Sequence, residues 1–399
     1  MGDIRLNYQG KKDEVEILNS ICNAKKIKLG NNSTYINGDN FTVMSSLLAS
    51  GYRSSIDLIY IDPPFNTNQV FNVTDKRVST ISRNGSIVAY SDELKPFEYL
   101  EFIRERLILM RELLSEKGSI YLHIDCKMGH YVKILMDEVL GTENFLNDIA
   151  RIKSNPKNFK RPAYGNQRDM VLFYAKSKGN NIFNNITQSL TEEEVKSKFK
   201  KVDKDGRRYN TVPVHAPGET IAGKTGGYWR EMLPPKGRHW RTSPKELDEL
   251  DRSGLIEWSK NGIPRIKKYA DEHNGKKIQD IWNYIDPPYP LYPTEKNLNM
   301  LKMIIQQSSN QDSLVMDCFA GSGSTLLAAE QTKRKWIGID QSEYSAKVVK
   351  ERFREVKFDY INFANIDNQL IKTRDTIDGP TKPLPATDIH PPAKANSFI

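Results

Sequence analysis

The amino-acid sequence predicts an α/β protein: a doubly wound, mostly parallel sheet interrupted by a basic insertion. Strand-length apolar runs alternate with helical periodicity over residues 34–140. The alternation returns at 312–356. Between the two blocks lies a stretch rich in Lys, Asn, Gly and Pro that follows neither period.

Taken in order, residues 34–37 read as a short strand ending in Gly38-Asp39-Asn40. Residues 41–50 carry Phe41, Met44, Leu47 and Leu48 at helical spacing. Residues 55–61 form an apolar run of strand length, stopped by Asp62-Pro63-Pro64. A long amphipathic helix is expected over 96–114, closed by Lys117-Gly118, then a strand at 119–124 and a helix at 129–140. In the second block the strands are 312–317 and 336–340, and the helices 323–331 and 342–356. Prolines at 380, 383, 385, 391 and 392, with little apolar periodicity, predict a flexible tail from 366 to 399. The expected organisation is a domain split into 1–150 and 281–365, with the insertion at 151–280.

Composition limits the function classes. The chain has 399 residues, 59 Lys plus Arg and 50 Asp plus Glu, a net charge of +9. Residues 151–280 hold 28 basic and 16 acidic residues, a net of +12, which leaves −3 for the remainder. The whole excess therefore sits in the insertion, where it reads either as a solvated, loop-rich segment or as a surface for a polyanion. No apolar run approaches the roughly 18 residues of a membrane helix. The first twenty residues lack the apolar core of a signal peptide. Cys22, Cys126 and Cys318 stand far apart, which argues against a disulfide scaffold or zinc ribbon. A cytoplasmic protein is expected.

Two motifs carry chemistry. Asp317-Cys-Phe-Ala-Gly-Ser-Gly-Ser-Thr325 is a glycine-rich turn between a strand and a helix, where the backbone can approach a bulky ligand. No Gly-Lys-Ser/Thr follows, so it is not a phosphate-cradling loop. Leu326 stands where a dinucleotide fingerprint has its third glycine. Asp340 ends the next strand, where a carboxylate can take both ribose hydroxyls; together these suit an adenosine ligand without a diphosphate. The second motif is Asp62-Pro63-Pro64-Phe65 at the C-terminal end of a strand, the place where open α/β sheets bind ligands. Two prolines fix the turn, a carboxylate and a rigid carbonyl can accept hydrogen bonds from one exocyclic amine, and Phe65 offers a face for stacking a base. A second copy, Asp286-Pro287-Pro288-Tyr289, has no apolar strand run before it and reads as a loop. His123, Asp125, Cys126 and His130 match no metal-ligand spacing and read as a strand end, so no metal is expected. Lys224, Arg230, Lys236, Arg238 and Arg241, with Tyr228, Trp229, His239 and Trp240 among them, read as a groove-and-phosphate surface or as an ordinary basic loop with a small aromatic core.

The order of these motifs resembles the amino-methylating DNA methyltransferases of the β group, in which the catalytic motif precedes the cofactor motif. The likeness is strongest to the adenine-N6 branch and to the modification subunits of type III restriction systems. It rests on Gly38-Asp39-Asn40, Ile59-Tyr-Ile-Asp-Pro-Pro-Phe-Asn-Thr67, Tyr121-Leu-His-Ile-Asp125 with Gly129-His-Tyr-Val-Lys133, Tyr292-Pro-Thr-Glu-Lys296, Asp317–Thr325 and Trp336-Ile-Gly-Ile-Asp340. It covers about residues 35–175 and 280–355.

The resemblance implies a Rossmann-like methyltransferase fold, with the insertion as target-recognition region. It implies S-adenosylmethionine as cofactor, and Asp62, Pro63, Pro64 and Phe65 as the methyl-acceptor site. Asp317, Phe319, Gly321, Ser322, Gly323, Thr325 and Asp340 would then hold the cofactor. Asp39 would lie near its adenine ring, and Thr294 and Lys296 would close over its carboxylate. Cys318 stands where the family often has proline and Ser324 where threonine is common, and the chain is shorter than typical type III subunits. The implied substrate is adenine N6 in duplex DNA, reached by base flipping. Cytosine N4 is the alternative, and a nicotinamide-dependent oxidoreductase or a non-enzymatic DNA-binding protein are the readings outside the class. A restriction endonuclease and a second copy of the chain are the protein partners left open, with no membrane.

Overall fold

The computed structural model describes residues 4–64, 70–74, 77–79, 87–91, 94–156, 162–220, 223–286 and 295–368. The chain divides into two compact units: residues 1–184 together with 280–399, and residues 185–279.

The first unit is built on a nine-stranded sheet. From one edge to the other its strands are Ile281–Asn283, Phe145–Ile152, Arg168–Ala175, Leu114–Ile124, Ile56–Ile61, Leu314–Asp317, Lys335–Asp340, Thr34–Asn37 and Asp359–Asn362. All neighbours pair in parallel except Arg168–Ala175, which is antiparallel to the strands on both sides of it. The central strands read as near-continuous apolar runs because both faces are covered. Ile36, Ile59, Ile61, Leu122, Leu172, Met316 and Ile339 are all buried, with Met44, Leu47 and Leu107 packed on them from helices.

Local chemistry sets the helix starts. Asp39 caps Asn40–Ala49 by accepting the Thr42 N–H at 2.9 Å. Pro96 opens the helix Pro96–Leu113, and the Lys95 N–H donates back to the Glu98 carboxylate at 3.1 Å.

Three features depart from the sequence expectation. The strand after that helix begins at Leu114, before the expected turn at Lys117-Gly118. The turn is an irregularity inside the strand, where pairing shifts between Ile56 and Leu58 and where a side chain on Gly118 would meet the Ile56 carbonyl oxygen at 2.9 Å. Next, the boundary expected at 151 falls later. Phe145–Ile152 and Arg168–Ala175 belong to the sheet, and the second unit starts at Asn185. Arg151 and Asp169 look like surface residues in sequence, yet both are buried and face each other at 3.8 Å. Finally, a strand does precede Asp286: Ile281–Asn283 pairs in parallel with Phe145–Ile152. As an edge strand it buries only Trp282, so it needs no apolar run.

The second unit has a four-stranded antiparallel sheet in the order Lys201–Val202, Arg208–Pro213, Pro264–Tyr269, Ile256–Trp258. It also has a two-stranded ribbon, His215–Pro217 with Arg238–Trp240. Its core is Val214, Trp229, Trp240, Leu247, Ile256 and Ile266. Leu247 comes from the helix Pro244–Arg252, which opens with a capping box of Ser243 and Glu246. Residues 185–279 contain 20 basic and 14 acidic residues, so only half of the +12 excess lies in this unit. Among the described residues no helix is long and apolar enough to cross a membrane.

Candidate active site

Asp62 follows the last residue of Ile56–Ile61, and Asp317 ends the neighbouring parallel strand Leu314–Asp317. Asp340 ends the next one, Lys335–Asp340, whose Gly338 pairs with Asp317. Three carboxylates thus line adjacent C-terminal strand ends. Pro63 is buried and Pro64 half-buried behind Asp62. Phe65 and Thr294 lie outside the described residues.

The glycine-rich turn is held from both sides. The Phe319 N–H donates to Asp317 Oδ1 at 2.9 Å, and the Thr325 hydroxyl bonds the same carboxyl. The Gly321 and Ser342 N–H groups donate to the two oxygens of Asp340, each at 2.8 Å. Gly323, at φ +73°, turns the chain into the helix Ser324–Gln331 in a conformation that suits only glycine without strain. Leu326 packs against the next strand, where a side chain on Gly338 would overlap Leu326 Cδ1. The close helix–strand approach that a third glycine provides in dinucleotide folds is made here by a glycine on the strand.

Asp317 is buried and Asp340 half-buried, and among the described residues neither pairs with a Lys, Arg or His. Burial pushes Asp317 up to about 7 and raises Asp340 as well. A cationic ligand with ribose hydroxyls and an amino group fits such a donor and acceptor set.

Asp39 is committed by its cap and by Arg106, whose NH2 donates to Asp39 Oδ2 at 3.2 Å. Arg106 also bonds Asn40 Oδ1 at 2.6 Å, and Asn40 in turn donates to the Cys318 carbonyl at 2.8 Å. The guanidinium lies over the Phe102 ring at 3.6 Å, and Phe102 meets Phe319 edge-on. Gly38-Asp39-Asn40 is thereby tied to the turn at Cys318-Phe319.

Lys296 is nearly buried and pairs with Asp62 Oδ2. Its neighbour Glu295 pairs with Arg352, which also donates to Ser324 Oγ at 3.0 Å. Asn297 caps the helix Leu298–Ser308 with its Oδ1, donates its Nδ2 to the Ile285 carbonyl at 2.7 Å, and sends its backbone N–H to Asp286 Oδ1 at 3.1 Å. Asp286 also receives Arg151. The second Asp-Pro-Pro copy therefore anchors the segment that carries Lys296 to the first.

Sequence reasoning set His123 aside as a strand end, but it lies inside Leu114–Ile124, fully buried. Its Nδ1 is 3.4 Å from Asp62 Oδ1 and 3.2 Å from the Tyr60 hydroxyl; its Nε2 is 3.3 Å from Asp169 Oδ2. Asp169 also pairs with Lys153 at 2.6 Å. Burial pulls His123 below its usual range, while Asp62 and Asp169 act the other way. The signal available in sequence was a histidine among the large apolar and aromatic residues Ile120, Tyr121, Leu122 and Ile124. Asp125 has a different task, accepting the N–H groups of Lys127 and Met128 at the start of Gly129–Leu140.

In the second unit Trp229 and Trp240 are core residues, not a stacking surface. Arg230 is held by Asp248 and Asp251. Lys224, Lys236, Arg238 and Arg241 are exposed. Arg238, Arg241 and Arg265 crowd His215 and add to the effect of burial in lowering it. Among the described residues none of these three arginines pairs with a carboxylate.

A sequence profile of a DNA methylase family matches residues 56–351. The chain is 40% identical over 378 residues to the type II methyltransferase M.EcaI of Enterobacter cloacae, covering 90% of this chain and 80% of that protein. It is 26% identical over 326 residues to the StyLTI Mod subunit, a type III restriction-modification enzyme of Salmonella typhimurium, covering 73% of this chain and 48% of the subunit. Among solved structures it is similar to M1.HpyAVI in complex with SAM, at 17% identity and a TM-score of 0.40, over 80% of this chain and 99% of that one.

Proposed function

The chain belongs to the N6/N4 DNA methylase family, and from that premise we propose that it moves a methyl group from S-adenosylmethionine to adenine N6 in duplex DNA, as the modification enzyme of a restriction-modification system. The supporting observation is the adjacency of Asp62 to Asp317 across two parallel strands. A carboxylate that holds the accepting amine and a turn that holds the cofactor, on neighbouring strand ends, would bring donor and acceptor together, which removes much of the entropic cost of the reaction.

S-adenosylmethionine supplies an electrophilic methyl on a sulfonium, so the C–S bond breaks with its pair left on sulfur. The residues of this chain do the rest. The adenine N6 lone pair is delocalised into the ring, and hydrogen bonds to Asp62 and the Pro63 carbonyl localise it on nitrogen. The same acceptors stabilise the positive charge that grows on the amine. Asp317 and Asp340 hold the cofactor by its amino and ribose groups.

The expected result is transfer of labelled methyl from S-adenosylmethionine to unmethylated bacterial genomic DNA, recovered as N6-methyladenine on nucleoside analysis. N4-methylcytosine instead would move the assignment to the other amine, and no transfer to DNA would sink it.

In this proposal residues 185–279 recognise the target, with Arg238, Arg241 and Arg265 on phosphates. Replacing Arg238 and Arg241 with Ala should weaken duplex binding across sequences and lower the log–log salt slope by about one for each phosphate no longer neutralised. Filter binding between low and physiological KCl checks this. An unchanged slope would remove these arginines from the interface.

A further inference from the structure

The geometry points to His123 as the residue that takes up the proton released at Asp62, with Asp169 holding its ring in place. This rests on the function proposed above, because it is the reacting amine that supplies the proton.

Asp169 is a carboxylate, held at about 2 because the hydrogen bonds from His123 and Lys153 outweigh its burial. A carboxylate only accepts, so Nε2 of His123 carries the hydrogen on that side. The imidazole is buried and neutral, which leaves Nδ1 as a lone pair. The Tyr60 phenol, kept protonated by burial and by Asp62, donates to it. Asp62 Oδ1 therefore faces a lone pair at 3.4 Å, and it is a buried oxygen with no hydrogen-bond donor among the described residues. Such an atom carries the desolvation cost of an unmade hydrogen bond. One added proton removes that cost: on Nδ1 it makes an imidazolium between two carboxylates.

The reaction releases that proton. Once N6 has formed its bond to the methyl carbon it carries a positive charge and two hydrogens. One N–H bond breaks with its pair left on nitrogen, and the proton passes to the Asp62 carboxylate. A half-turn about Cβ–Cγ presents it to His123 Nδ1. Asp62 is then a carboxylate again while the methylated base is still bound. When the product leaves, the proton returns through Asp62 to water. His123 touches neither substrate nor cofactor, so it is a positioning residue acting through Asp62. The charged or titratable groups around it are Tyr60 on one strand and Asp62 just past its end, Asp169 on another, Arg151 on a third and Lys153 just past its end, and Lys296 before its helix.

The test compares wild type, His123→Gln and Asp169→Asn with tritiated-methyl S-adenosylmethionine and unmethylated bacterial genomic DNA, measuring kcat from pH 5 to 8.5 and cofactor Kd. His123→Gln keeps a donor to Asp169 but cannot take a proton. It should bind cofactor as wild type does, lose about 10- to 100-fold in kcat, and lose the acid limb that wild type shows where His123 becomes charged. Asp169→Asn removes a group that favours the imidazolium, so its acid limb should move to lower pH. A folded His123→Gln protein with wild-type kcat, or an acid limb unmoved in both variants, would overturn the inference. If His123→Gln does not fold, the limb of Asp169→Asn decides. If wild type transfers no methyl to DNA, the proposed function falls and this inference with it. An active wild type with indifferent variants removes the inference alone.

Discussion

Asp62→Ala should abolish methyl transfer, a loss of at least about 10²–10³-fold in kcat, while S-adenosylmethionine still binds. In the proposed function the carboxylate is the group that makes the amine nucleophilic, and among the described residues that strand end offers no second acceptor except the Pro63 carbonyl. The substitution has a structural cost that would confuse a simple reading. Lys296 is buried and pairs with Asp62, so truncation removes an ion partner of a buried ammonium and costs up to about 3–5 kcal/mol of stability. The double variant Asp62→Ala/Lys296→Met separates the two effects. Its melting temperature should recover toward wild type while its activity does not. Recovery of activity in the double variant would mean that Asp62 serves only to neutralise Lys296. Asp286→Ala should behave differently, because Asp286 anchors Asn297 and Arg151 and sits away from the cofactor turn. Its effect should be partial, and total loss there with activity kept in Asp62→Ala would reverse the assignment of the two Asp-Pro-Pro copies.

The second large effect concerns Asp317. Its folded-state value of about 7 stands above the ordinary 3.8, so the protonated carboxyl is favoured in the fold. Stability from this group is complete below the ordinary value and is lost as pH rises toward 7, by up to about 4 kcal/mol. A cationic cofactor prefers the ionised form. Affinity for S-adenosylmethionine should therefore fall about tenfold per pH unit below 7 and level off above it. Asp317→Asn should stabilise the ligand-free protein at pH 8, bind the cofactor at least about tenfold more weakly, and flatten the pH dependence. Calorimetric titration from pH 5.5 to 8.5, with melting curves on both proteins, checks all three. A wild-type affinity that ignores pH would detach Asp317 from the cofactor's charge.

Much of the fold is legible in the sequence because apolar spacing and turn residues agree locally. Thr34–Asn37, Ile56–Ile61 and Gly129–Leu140 are found within a residue or two of where periodicity puts them. Periodicity fails where burial is paid for by pairing. Arg151, Asp169 and His123 are buried against one another, and only tertiary structure reveals that Asp169 pairs with Arg151 and bonds the His123 ring. The site follows the same division. Asp62, Asp317 and Asp340 announce themselves through prolines and glycines that bend the chain at strand ends. Arg106, Arg352 and Asp286 act on the motifs from far along the chain, through contacts no short window contains. For Trp229 and Trp240 the sequence left two readings, a nucleic-acid face or a small aromatic core, and the rings are packed into the core of that small unit.

Both ends of residues 185–279 are moored on the sheet unit. Asn184 donates its backbone N–H to Gln307 and its amide to Gln306 and Ser309, and the Asp280 carbonyl receives the Ala150 N–H at 2.8 Å. Such fixed sockets make the intervening stretch an exchangeable cartridge. The chain re-enters the sheet unit at Asp280, three residues before Asn283 and six before Asp286. Under the proposed function, the sequence read and the chemistry performed are encoded in separate stretches of the chain.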